Sequence, residues 1–484
     1  MSVLNKAKRA GKIQFIAILI SKGIGVIFTV LLARILFPED YGNLTVALIF
    51  TGFLTIFSNF GFQTFLIQNN NDDPGIPHTT FFLELAFSGL VIIILLSCSF
   101  LAQYHFGNEV VGNMLRLYCI NILVISIGHT PLALFKRNLD FDISSGSEVA
   151  YTISSNIFRV VFALSGFGAL CFPIGDILGN ILKTGMIYWR SAFRPQWKFF
   201  EKSKVKEILR FGGYTSLTSI GAYMANQIDK VLVASVFPIK QVGFYNFGYA
   251  QSGLYFNLIQ ASQTSVLLSL FAKFRDNLPE ARRVLMNVTR LVNFLALPVY
   301  GYAILEAELI VKVIFSEKWL GAVPYFQIFA ADFLFRSFFT GITGIQLAFG
   351  LAKSAARTKL INSVLFVLLL LIASGFNKPE YYAWFYFLAT VVSTMHNVVV
   401  NGKLLELKYG SYARNFIPNM ITIALTLIGY YTVFSMIRID DDMVKLLTSG
   451  LFFSAFYFFS TLLFNRSMLL QVWRIILPDT LKKA

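Results

Sequence analysis

Leu31-Leu32-Ala33-Arg34-Ile35-Leu36-Phe37-Pro38 closes an apolar run that starts near residue 13 and leads on to Gly42 and Ala47. A bilayer is crossed by about 20 mostly apolar residues in helical form, so this run is long enough to span one. The same punctuation returns later in the chain. Leu232-Val233-Ala234-Ser235-Val236-Phe237-Pro238 ends a second run and leads on to Gly243 and Ala250. The offset, about 200 residues, matches six spans with their joints and marks two similar halves in the same orientation. Outward from these two joints, further runs lie at roughly 44–66, 80–102, 112–135, 148–168, 171–190, 213–237 and 243–271. Others follow at 284–305, 322–349, 357–376, 380–400, 415–436 and 444–464. Fourteen membrane-spanning helices are expected.

Composition agrees. Of 484 residues, 56% are apolar and 14% charged, against roughly 45–50% and 25% in soluble domains. The polar surface that a soluble chain of this length requires is missing. Yet the chain carries a net charge of +16, from 41 Lys and Arg against 25 Asp and Glu. The basic residues stand singly between apolar runs, which argues against a nucleic-acid partner and for membrane lipids as the surroundings. With both termini in the cytoplasm, 27 Lys and Arg fall in inside segments, seven outside and seven within spans. One inside joint, 68–79, stands apart because it has two Asp and no Lys or Arg. The first run holds Lys22 and no small-residue cleavage site, so it reads as a helix and not a signal peptide.

The longest polar interval, 191–211, is expected to divide the chain. Glu201–Phe211 sets Val205, Ile208 and Leu209 opposite Lys202, Lys206 and Arg210, as in a short amphipathic connector on the inner leaflet. The expected organisation is an N-terminal lobe over 1–190, the cytoplasmic linker 191–211, a C-terminal lobe over 212–400, and a helix pair with tail over 401–484.

The seven in-span cations are Lys22, Arg116, Arg159, Lys183, Lys230, Arg290 and Arg336. A charge near the bilayer centre costs about 2.5–3.5 kcal/mol on the insertion scale, so it pairs, snorkels or lines a wet cavity. Arg116 and Arg290 lie near span ends, within snorkelling reach. Lys22, Arg159, Lys183 and Arg336 lie deep. Asp332 and Arg336 are four apart and suit an ion pair on one helix face. Asp176, Asn180 and Lys183 form a polar stripe. Arg159 has Ser155 and Asn156 on its face and no acid within a turn. Lys22 has no acid within two turns, and Gly23 and Gly25 beside it would permit close backbone approach. Cations converging from several helices favour phosphate and other anionic headgroups. Lys22, Arg159 and Lys183, then Arg336 and Arg116, are the expected substrate contacts. Asp176, Glu84 and Asp332 are the candidates for a coupling proton or sodium ion. No phosphate-binding loop, His-Glu-x-x-His or Gly-x-Ser-x-Gly occurs, and the four histidines lack metal spacing. Neither an enzyme nor a metal site is expected.

The stretch Leu32-Ala33-Arg34-Ile35-Leu36-Phe37-Pro38-Glu39-Asp40-Tyr41-Gly42, continuing through Phe60-Gly61 to Leu66-Ile67-Gln68, resembles the polysaccharide (Wzx-type) flippases. These belong to the multidrug/oligosaccharidyl-lipid/polysaccharide exporter superfamily. Phe135-Lys136-Arg137-Asn138-Leu139-Asp140-Phe141, Asp229-Lys230 with Gly243-Phe244-Tyr245, and Val313-Ile314-Phe315-Ser316-Glu317-Lys318-Trp319 extend the likeness over residues 30 to 350. It is similar above all to exporters of colanic-acid type. The resemblance implies an all-α integral membrane fold, with two pseudo-symmetric six-helix lobes around a central cavity plus two C-terminal helices. It implies that undecaprenyl-pyrophosphate-linked oligosaccharides pass from the inner to the outer leaflet of a bacterial inner membrane by alternating access. Such transport serves O-antigen, capsule or exopolysaccharide synthesis. It also implies coupling to a Na+ or H+ gradient, no bound cofactor, and a polysaccharide polymerase and chain-length machinery as partners. In such flippases a basic residue of the first helix faces the lumen, and Lys22 occupies the matching place. Two alternatives are a drug/cation antiporter of the same superfamily, which would want acids in the lumen, and a membrane-embedded polymerase or transferase, which would need catalytic groups on an outer loop.

Overall fold

The structure, a computed structural model, describes residues 3–69, 71, 73–106, 108–257, 267, 270–434 and 436–476. Among these no strand occurs. Every expected run contains a helix. Among the described residues ten helices are long and apolar enough to cross a membrane, consistent with fourteen crossings.

Two compact units divide at Gly243–Phe244. The first is built from α1 (Val3–Ile35), α2 (Pro38–Asn59), α3 (Phe62–Gln68), α4 (Gly75–Phe106), α5 (Glu109–Arg137), α6 (Phe141–Leu164), α7 (Cys171–Arg190) and α8 (Lys202–Val236). Helix α6 packs on α1 and α7, α5 on α4 and α7, and α2 on α4 and α5.

The break comes later than the 191–211 interval suggests, because the connector is no separate element. Residues from Lys202 onward form the first turns of the 35-residue α8. Ile208, only 1% exposed, is buried among Phe62, Phe65, Leu66, Ile76 and Ala133. Gly212 lets the helix pass the Phe60 carbonyl, where a Cβ would collide. The apolar face assigned to the membrane surface is therefore spent on the protein core.

The two Phe-Pro joints are helix starts. Pro38 occupies the first turn of α2, and the Asp40 carboxylate accepts the Phe37 N–H at 2.9 Å, which caps the end. Helix α9 (Ile239–Ser252) starts directly after Pro238, without an acidic cap of this kind in its first turn. The two starts meet reciprocally. A Cβ on Gly42 would strike the Ile239 backbone, and one on Gly243 would strike that of Pro38. Glycine is needed at both positions of the repeat for this approach.

The second unit contains the remainder of α9, α10 (Leu278–Leu305), α11 (Val323–Ser337), α12 (Ala352–Ala373), α13 (Pro379–Leu404), α14 (Ile417–Phe434), α15 (Asp442–Phe464) and the short α16 (Arg466–Ile476). The expected span 243–271 runs on from α9 into residues 258–266 and 268–269, which lie outside the described residues. The expected span 322–349 is broken. After α11 the chain turns through Gly341, at φ +86°, and a further helical turn follows at Ile345–Ala348. The C-terminal pair α14–α15 packs on α10 through Leu297, Ile423, Tyr430, Phe434 and Phe453.

Contacts between joints follow the alternation that fourteen crossings require. In the first unit Lys240 pairs with Glu39 at 3.3 Å and Asn108 donates to Asn43 at 2.7 Å. All four belong to joints expected outside. On the other face Lys204 pairs with Asp73 at 2.9 Å and Arg137 donates to the Asn71 carbonyl at 3.3 Å. The acidic joint 68–79 is thus matched by basic residues of other joints expected on the same side. In the second unit Lys312 pairs with Asp442 at 2.7 Å, and Arg282 donates to the Glu406 carbonyl at 3.0 Å.

Candidate functional site

In the first unit, α6 and α7 carry a buried polar cluster. Gly175 and Gly179 on α7 face Ser155 and Arg159 on α6 with no room for a Cβ, the small-residue spacing that brings membrane helices together. That approach joins Arg159 to Asp176 in an ion pair, with side chains 22% and 12% exposed. Tyr151 donates to the same carboxylate at 2.9 Å, and Arg159 also donates to Asn156 at 3.2 Å. The guanidinium lies 5.9 Å from the Phe172 ring centre, and its Nε–H finds no acceptor among the described residues. Arg159 lacks an acid within a turn in sequence, yet it gains one from the next helix. The signal was Gly175-x-x-x-Gly179, a packing face that the sequence reading did not use.

Lys183 leaves the stripe of Asp176 and Asn180 and crosses to Glu148 on α6, at 2.5 Å. Asn180 instead donates to Asn121 on α5 at 2.9 Å. Glu84 on α4 meets His129 on α5 at 2.5 Å. Arg116, near the end of α5, donates to Asn113 at 2.9 Å and Gln103 at 3.0 Å and lies over the Phe100 ring. Its hydrogen bonds make it an anchored side chain.

Lys22 differs from all of these. It is exposed on α1 and makes no ion pair among the described residues. The close backbone approach expected at Gly23 and Gly25 does not occur in this unit, since a Cβ on either would meet nothing within 4 Å. This face of the helix is open.

The second unit has its own cluster on α11. Arg336 pairs with Asp332 one turn earlier at 2.8 Å, as the four-residue spacing suggests. It donates to Tyr386 at 3.2 Å and Thr390 at 2.9 Å, both on α13, and lies against the rings of Phe333 and Tyr386. Arg336 is in the last turn of α11, where free carbonyls favour a cation. The break that follows is the kind of interruption that membrane proteins tolerate where backbone is covered by protein or lines a polar cavity. Arg290, from α10, donates to Asn465 at 2.9 Å, and Asn465 in turn donates to Asn419 at 2.6 Å. That chain ties α10 to the C-terminal helices.

An apolar cavity of about 850 Å³ also lies in the second unit. Tyr255, Val299, Tyr302, Leu447 and Phe453 are among the side chains that line it. The cationic clusters and this cavity are chemically distinct: one suits anionic oxygens, the other hydrocarbon. Among the described residues no three His, Cys, Asp or Glu side chains gather as metal ligands do.

Comparison with known proteins places these features in context. Residues 31–324 match the family described as "Polysaccharide biosynthesis protein". The teichuronic acid biosynthesis protein TuaB of Bacillus subtilis (strain 168) is 22% identical over 384 residues, 78% of this chain and 79% of that protein. The lipopolysaccharide biosynthesis protein WzxC of Escherichia coli (strain K12) is 24% identical over 372 residues, 76% and 75% of the two chains. Among solved structures, the lipid II flippase MurJ in an inward closed conformation superposes with a TM-score of 0.75 at 16% identity. That match covers 94% of this chain and 99% of the other. An inward-facing multidrug resistance MATE family transporter of the MOP superfamily gives 0.65 at 12% identity, over 80% and 94%. Both likenesses establish the transporter fold.

Proposed function

The chain belongs to the polysaccharide biosynthesis protein family, and on that premise we propose that it is a flippase for lipid-linked oligosaccharides. Undecaprenyl-pyrophosphate-linked repeat units would pass from the inner to the outer leaflet of the bacterial inner membrane by alternating access, with both termini cytoplasmic. The relatives are proteins of teichuronic acid, lipopolysaccharide and succinoglycan biosynthesis, the last named as a transport protein, and a lipid flippase shares the fold. No enzyme chemistry is assigned.

Lys22 carries the reading. An ammonium in the middle of an apolar helix, exposed and without an ion pair among the described residues, is too costly to leave against acyl chains. It belongs in an aqueous cavity, where it attracts pyrophosphate. Arg159, Lys183 and Arg336 are second contacts; each already holds a carboxylate, so substrate oxygens must share or replace that partner. Arg116 is proposed as a peripheral contact. The apolar cavity suits the hydrocarbon part of such a lipid. A drug/cation antiporter would favour unpaired acids, whereas Glu84, Asp176 and Asp332 each meet a basic side chain.

Lys22→Ala tests the proposal, because the side chain is exposed and has no ion pair among the described residues to lose. Surface polysaccharide should disappear in cells relying on the variant while its membrane level stays unchanged, and Lys22→Arg should restore it. Full surface polysaccharide in Lys22→Ala cells would refute the cationic site.

A further inference from the structure

Glu84 lies nine residues into α4, about 14 Å along the helix at 1.5 Å per residue, and is 1% exposed. Its Oε1 is 2.5 Å from His129 Nδ1, while its Oε2 is buried without a hydrogen-bond partner among the described residues. The His129 side chain is 20% exposed and is the more accessible half of the pair. One turn farther along, the Ser88 and Ser126 hydroxyls bond each other at 2.6 Å, so neither is aimed at the carboxylate.

We infer that Glu84 and His129 form a proton-binding site whose occupancy drives the transport cycle. This deepens the flippase reading and rests on it for the link to transport. The chemistry favours a proton over a metal cation. A hard cation takes several oxygen ligands, and imidazole is better suited to transition metals. A carboxylate touching an imidazole has two places for a proton and a bond along which to pass it. The relay starts from carboxylate and neutral imidazole carrying Nδ1–H. A proton from water binds Nε2 of His129; the Nδ1–H bond then breaks and an O–H bond forms at Glu84 Oε1. The products are a carboxylic acid and a neutral imidazole bearing Nε2–H. One proton has entered and no other reactant is consumed.

Burial makes the occupancy depend on conformation. The unprotonated pair is a net negative charge inside an apolar unit with one partner, which is expensive. The packed arrangement therefore retains its proton, and one that wets Glu84 releases it. Lys136 and Arg137 follow His129 by about two turns on α5, and Lys183 on α7 is paired with Glu148 on α6. Tyr188 on α7 donates to the Ile127 carbonyl at 3.0 Å. Helix α3 has no titratable side chain, and those of α2, Glu39, Asp40 and Tyr41, lie at its outer end. On α8, Lys204 is taken by Asp73, with Lys202, Lys206, Glu207, Arg210 and Tyr214 in its early turns. His78, in the first turn of α4, accepts the Gln196 N–H and feels Lys198.

Infrared difference spectroscopy on the full chain in liposomes tests the site directly. Acidification from about pH 8 to 5 should raise a protonated-carboxyl band that is absent in Glu84→Gln and shifted in midpoint in His129→Gln. In parallel, a fluorescent polyprenyl-pyrophosphate disaccharide serves as transport probe under an imposed pH or Na+ gradient. The pH gradient should accelerate the wild type, and this stimulation should be lost in Glu84→Gln, with His129→Gln as the second variant. No Glu84-dependent band, unchanged pH-gradient stimulation in both variants, or stimulation by Na+ alone would each overturn the inference. A Glu84-dependent band in protein that moves no probe would support the proton site and sink the transport reading instead.

Discussion

Asp176→Asn removes the acid from the buried α6–α7 pair and leaves the Arg159 guanidinium with Asn156 as its remaining side-chain acceptor. Deleting one partner of a buried ion pair costs about 3–5 kcal/mol. Here Arg159 retains 22% exposure and one hydrogen bond, so the cost falls below that range, to about 2–3 kcal/mol. For a unit of this size each kcal/mol moves the melting temperature by about 2–4 °C, which gives a fall of about 4–12 °C. Arg159→Met alone should cost a similar amount, since it strands the carboxylate. The double variant should recover about 1–2 kcal/mol relative to the sum, because neither charge is then stranded. Thermal unfolding of the four purified proteins in one detergent measures this cycle. Surface polysaccharide measured in parallel separates structure from transport. Asp176→Asn keeps the cation and should retain export, whereas Arg159→Met should abolish it at equal membrane level. Additivity within about 0.5 kcal/mol would show that the pair is not coupled. Equal export from the two single variants would show that Arg159 acts only through packing.

Two other outcomes follow from local geometry. The Lys204 hydrogen bond, helped by the Gly75 N–H, holds the Asp73 carboxyl below its ordinary value, and Asp73 holds Lys204 above its own. A lowered acid stabilises above its unfolded value, about 3.9, and that contribution is lost as pH falls through the folded value; the raised amine contributes below about 10.4 and loses it above the folded value. Hydrogen-exchange protection at 73–76 and 201–205, taken relative to the intrinsic rate at each pH, should therefore be greatest between these limits and smaller at the acid side, and Asp73→Asn should erase the acid limb. An unchanged acid limb in that variant would dismiss the clamp. Gly175→Ala should lower thermal stability by about 1–3 kcal/mol, because its Cβ meets the Ser155 carbonyl and Arg159 Cγ. Gly185→Ala, on the same helix with nothing within 4 Å, should be neutral or mildly stabilising, and equal effects would remove the tight crossing as their cause.

Apolar length and punctuation determine where this chain makes helices, because no water is available in a bilayer to satisfy an exposed backbone. The Phe37-Pro38 and Phe237-Pro238 starts, the low charge and the distribution of Lys and Arg all act locally or along one axis, so they are legible in sequence. Asp332 and Arg336 are legible too, since one helix turn sets their distance. The rest was decided by packing between helices. Arg159 received its acid from α7, Lys183 exchanged the stripe of Asp176 for Glu148, and Glu84 found His129 on α5. Ile208 turned from a membrane face to a core. Helical periodicity fixes which face a side chain occupies but not which neighbour that face meets. A buried charge is stabilised only by what lies within a few ångströms of it. Arg159 and Lys183 took their acid from a neighbouring helix, Arg336 from its own, and Lys22 pairs with no acid among the described residues.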